Sequence, residues 1–156
     1  MGLMTQTMYR YKKVRVLHMR EFNHRYVLSL DNHVSILEAL TAFCAEKHIT
    51  AGTVSGIGAI SSATFRFLDP ATKQYVDKTF DEQMEITNLT GNLSVKDDKP
   101  YLHLHATAGR RDYTCVGGHL LDARVNGACE LVVDDYGMND FGRRFDEETG
   151  LNLYDF

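Results

Sequence analysis

Three of the seven histidines in this 156-residue chain fall within residues 101–121, YLHLHATAGRRDYTCVGGHLL. In an extended strand successive side chains alternate between faces. His103 and His105 then point one way, and Leu102 and Leu104 the other. Two imidazoles on one pleat can share a metal ion. The chain turns through Gly109, Arg110, Arg111 and Asp112, and Gly117-Gly118-His119-Leu120-Leu121 can return beside the first segment as its hairpin partner. That return brings His119 to the His-x-His pair. Three neutral imidazoles around a divalent ion, with one coordination position open, form the ligand set of catalytic zinc sites. The same alternation also describes an edge strand whose histidines only hydrogen-bond. Spacing alone leaves both readings standing.

An ion held by three uncharged ligands keeps its full charge, so a bound water becomes acidic enough to act as a nucleophile near neutral pH. Such a site calls for a carboxylate that orients an imidazole N–H or takes a proton. Asp112, Asp122 and Glu130 are the candidates. Glu130 is singled out because it lies between Cys129 and Leu131 on an apolar segment, where an unpaired carboxylate is costly; it is expected to pair with a histidine, an arginine or the metal. A surface-facing Glu130 on an edge strand is the alternative. Arg20, Arg66, Arg110 and Arg111 could capture an anionic ligand beside the metal, or could simply belong to solvated faces.

The elements that must position these groups read as follows. Residues 13–17 alternate and suggest a strand, residues 20–24 a turn, and residues 25–30 a second strand. Ile36, Leu37, Leu40, Phe43 and Cys44 recur at helical spacing, which predicts a helix over 34–47, with capping side chains offered by Asp31, Asn32 and His33. His48 at its end suits the helix dipole. Short strands are expected in 49–57, 63–68, 74–80, 82–89 and 91–95, then in the histidine segment and its return, and in 127–133. Gly52, Gly56 and Gly58 match no phosphate-binding pattern and read as close backbone packing or a bulge. The fold class is α+β: a largely antiparallel sheet of about seven strands packed on one main helix, in a single domain. Residues 1–8 are expected to be a flexible N-terminus and 9–133 the domain. Residues 134–156 form a C-terminal tail, either packed through Phe141, Phe145, Leu151 and Leu153 onto the body or a neighbouring subunit, or mobile.

The composition is that of one globular domain, 44% hydrophobic and 24% charged, with a formal charge of −4. That balance disfavours nucleic acid, whose phosphates are bound by clustered Lys and Arg. No apolar run is long enough for a bilayer, so a membrane is not expected. Cys44, Cys115 and Cys129 are odd in number and form no C-x-x-C pair, which fits small apolar thiols in the core of a reduced, cytoplasmic protein.

The runs SGIGAISSATFRF, EITNLTGNLS, YLHLHATAG, CVGGHLLDARV and CELVV occur in this order, and the chain resembles the plants-and-prokaryotes-conserved (PPC) domain over about 14–133. The resemblance implies an α+β fold assembled as a homotrimer, with a divalent metal, most plausibly zinc, at the positions matching His103, His105 and His119. It raises DNA as a partner, because plant members carry AT-hooks. No such hook is present here, since Arg110-Arg111 and Arg143-Arg144 lack the flanking Gly-Arg-Pro pattern. A small-molecule ligand, a DNA-binding regulatory role and a non-catalytic assembly module stay open beside metal-dependent chemistry.

Overall fold

The computed structural model of the chain describes residues 16–137 and 140–156; the segment expected to fray, 1–8, lies outside them. The described chain forms β1 (Val16–Phe22), β2 (Arg25–Leu30), α1 (Ile36–Lys47), β3 (Gly52–Asp69), β4 (Gln74–Phe80), β5 (Met84–Lys96), β6 (Lys99–Gly109), β7 (Cys115–Asp135), β8 (Arg143–Asp146) and β9 (Leu151–Tyr154). Seven strands make one sheet in the order β1-β2-β7-β6-β5-β3-β4, and β8 and β9 make a separate hairpin. Every pairing in the large sheet is antiparallel. Because β7 also pairs with β3, strands β3, β5, β6 and β7 close on themselves. The α+β architecture expected from the sequence is the one observed.

The helix forms where its periodic side chains can be buried. Ile36, Ala39, Leu40, Phe43 and Cys44 are buried against β6 and β7, joining Leu28, Val54, Leu89, Leu104 and Leu131 in one core. Its cap is Ser35, not the preceding Asp31, Asn32 or His33. The Ser35 hydroxyl accepts from the Glu38 N–H and donates to Asp122 on β7, which also accepts the Leu37 N–H. The hydroxyl and the carboxylate thus each satisfy one helix N–H that would otherwise lack a partner. His48 closes the other end in the left-handed conformation, its N–H directed at Ala45.

The strands are longer than the sequence reading made them. Segments 49–57 and 63–68 merge into the 18-residue β3, 82–89 and 91–95 into β5, and the histidine return and 127–133 into the 21-residue β7. Gly52, Gly56 and Gly58 show the close backbone packing expected of them. A Cβ on Gly52 or Gly56 would come within 2.3 Å of β7, so β3 and β7 can lie this close only without one.

In the tail, Phe145 and Leu153 are exposed rather than packed on the body of the same chain. The tail is tied down by other groups. The Val95 N–H donates to the Phe141 carbonyl, Arg143 Nε donates to Ser94 Oγ at 3.0 Å, and the Arg143 guanidinium stacks between Tyr154 (3.8 Å) and Tyr101 (5.2 Å). Among the cysteines, Cys44 and Cys129 are buried but Cys115 is exposed, against the expectation for all three. Burial pushes the Cys44 thiol up to about 12 and the Cys129 thiol up to about 11, so both are inert apolar groups.

Candidate metal centre

The hairpin return brings the three histidines together. His105 and His119 are direct partners across β6 and β7, and His103 follows His105 on the same face by strand alternation. The ring centroids form a nearly equilateral triangle, with sides of 5.2, 5.2 and 5.4 Å. One nitrogen from each ring lies within 4.8 Å of the others. Tetrahedral Zn–N bonds would set such nitrogens about 3.3 Å apart, a closure within reach of modest side-chain rotation. The donor set therefore fits a borderline-soft divalent ion. Leu104, between the two β6 histidines, is buried in the core on the opposite face, so the same alternation that exposes the imidazoles anchors their strand.

Glycines permit the approach. A Cβ on Gly117 would meet the Ala106 carbonyl oxygen at 2.5 Å, and Gly118 takes φ +146°. Gly117 lets β7 press against β6, and Gly118 admits the positive-φ backbone that leads into His119.

Two histidines have depressed basicity. Burial lowers His103, and the charges of His105 and Arg143 add to it. Burial also drives His119 down to about 4, aided by His103, His105 and Arg66 and opposed by Asp77. Both rings are therefore neutral at physiological pH, with lone pairs free for a metal.

The face around them is ordered by cross-strand pairing. Asp77 on β4 opposes Arg66 on β3, Arg66 opposes His119, His119 opposes His105, and His105 opposes Thr90 on β5. One row of side chains thus runs from a carboxylate, through a guanidinium, to two of the three imidazoles. Arg66 Nε and Nη2 each donate to Asp77 at 2.7 Å, and its guanidinium lies 4.5 Å from the Tyr75 ring centroid. In the next row His103 opposes Asn92, and beyond it Arg143 covers Tyr101.

The carboxylates singled out in the sequence lie elsewhere. Glu130 is exposed, eleven residues along β7 from His119, and opposes Ser29 and Ile57 in an outer groove with Arg20. Its strand is buried on the other face only, which removes the argument that it must be paired. Asp122 serves the helix cap, and Asp112 accepts from the Thr114 N–H and hydroxyl within the β6–β7 turn. Of the four candidate arginines, Arg66 alone is in register with a site histidine. Arg110 pairs with Glu82, and Arg20 and Arg111 are exposed. Asp77 and Arg143 carried no sequence signal of their own. The β3–β4 hairpin register is what would have placed Asp77 opposite Arg66.

Comparison with known proteins matches the model of the Plants and Prokaryotes Conserved (PCC) domain to residues 18–136. No curated protein sequence matches the chain. Among solved structures, a Bacteroides thetaiotaomicron protein whose name proposes DNA binding is 51% identical. It has a TM-score of 0.86, over 89% of this chain and 96% of that one. A metal-containing protein from Archaeoglobus fulgidus is 37% identical, TM-score 0.79, over 92% of this chain and 98% of that one. A plant- and prokaryote-conserved protein from Pyrococcus horikoshii, 22% identical with a TM-score of 0.79, covers 89% and 94% of the two chains and shows the shared fold.

Proposed function

Since this chain belongs to the Plants and Prokaryotes Conserved domain family, we propose that it is a metal protein whose His103, His105 and His119 hold one divalent ion, zinc by the chemistry of the donors. The observation that carries this reading is the convergence of three imidazole nitrogens within 4.8 Å of one another. The metal content of the Archaeoglobus relative supports it. When bound, a three-imidazole ion supplies Lewis acidity and an acidified water. The chain's own contribution is to keep the imidazoles neutral, fix them on a rigid sheet, and leave His105 exposed on the open side. That arrangement suits metal-dependent chemistry on a small polar substrate. Cobalt substitution tests it: a visible spectrum of four- or five-coordinate cobalt, altered by added small ligands, is expected. Spectra of a six-coordinate, solvent-like ion would overturn it.

We extend the reading to a homotrimer. Phe67 and Val76, cross-strand partners on the β3–β4 arm, are exposed on the face opposite Arg66 and Asp77, an apolar surface that assembly would cover. Light scattering of the metal-loaded protein tests this, and a monomer would refute it. The second reading is DNA binding, favoured by the name of the Bacteroides relative. It requires affinity that falls steeply with salt. With a net charge of −4 and no AT-hook, the expected outcome is no binding even at low salt.

A further inference from the structure

We propose that the ligand of this metal site is a small-molecule oxyanion, a carboxylate or a phosphate, anchored by Arg66. This inference rests on the metal reading above and names the class of molecule the site would take.

The argument is one of charge balance on a single face. The three-histidine group contains no carboxylate, so a divalent ion there keeps both its positive charges. Two guanidiniums flank it. Arg66 is the cross-strand partner of His119. Arg143 covers Tyr101, which shares the face of His103 and His105 by alternation along β6. Arg143 has no carboxylate partner among the described residues. It donates to the Ser94 hydroxyl and the Asn152 carbonyl, both neutral. The one acid in the histidine row is Asp77, and it is already engaged by two bonds from Arg66. A dication and two guanidiniums facing one carboxylate leave this face strongly positive, and an anion from solution is what balances it.

Arg66 is the group placed to hold that anion. Its Nε and Nη2 are taken by Asp77, while Nη1 makes no hydrogen bond among the described residues. The Tyr75 ring beneath the guanidinium fixes its plane, and its side chain remains 32% exposed. A guanidinium so fixed, one strand away from the metal ligands, presents a donor to an oxyanion whose other atoms reach the ion. Arg143, closed in by Tyr101 and Tyr154, contributes its charge rather than a contact.

The test uses the full chain loaded with cobalt, titrated separately with acetate and inorganic phosphate while the visible spectrum is followed. Saturable spectral change with at least one of them is expected, and the stronger of the two identifies the oxyanion class. Arg66→Gln should weaken that binding about tenfold, the loss of one charged hydrogen bond, with cobalt still bound. Asp77→Asn should tighten it, because a competing negative charge is removed. A purely structural Arg66–Asp77 pair would make the two variants behave alike, and that result would overturn the proposal. Cobalt bound normally with no response to either anion would also overturn it. Failure to bind cobalt at all would instead remove the metal reading beneath it.

Discussion

His105 and His119 face each other at the last pair of the β6–β7 ladder, the point beyond which β7 leaves β6 but stays paired with β3, with β2 joining it from Glu130 onward. The two imidazoles therefore stand where the sheet opens, held by backbone pairing on one side and free of a further β6 neighbour on the other. The metal binding proposed for this place would depend on how tightly the two strands can approach.

Gly117 sets that approach. Gly117→Val would drive a side chain into the Ala106 carbonyl oxygen. Overpacking of this kind costs about 1–3 kcal/mol. The expected result is a lower denaturation midpoint, together with metal affinity reduced by more than stability loss alone explains, because His119 is displaced with its strand. Calorimetric zinc titration of the folded variant measures the second effect.

The metal-free protein should lose stability as the pH falls from about 6.5 toward 4. The unfolded chain takes up protons on its histidines near pH 6.5, whereas folded His119 resists until about 4 and folded His103 is also lowered. Between these values the unfolded state binds more protons, so stability rises with pH across that window and is level from these groups above it. Urea midpoints followed against pH should flatten in His119→Gln. An equally steep dependence in the variant would assign the effect to other groups.

Ser35→Ala should destabilise the fold by about 1–2 kcal/mol, since it removes the helix cap and one of the partners of Asp122. The site lies on the opposite face of the sheet from the helix, so zinc stoichiometry should stay unchanged. Loss of metal in this variant would show that the helix cap and the site are coupled.

The sequence carried the local features of this architecture well. The helix and the histidine hairpin follow from periodicity and from a turn between alternating segments, because those signals act over only a few residues. What it hid are consequences of long-range register. The glycines of β3 read as close packing or a bulge, but which strand presses on them is set only by the pairing of β3 with β7. Glu130 was drawn to the site by apolar neighbours that in fact point to the other face. Asp77 was overlooked because its importance comes from lying across β4 and β3 in line with His119. The resemblance to the PPC family implied the fold and the three histidine positions, but the row of Arg66 and Asp77 emerges only from the pairing.

The most direct measurement is the metal content of untagged protein beside a His103→Ala/His105→Ala variant, with folding of both checked by circular dichroism. About one zinc or other divalent ion per chain in the wild type, and none in the folded variant, is the predicted result. A well-folded wild type that holds no metal even after zinc is supplied would contradict the account and return the three histidines to a structural role.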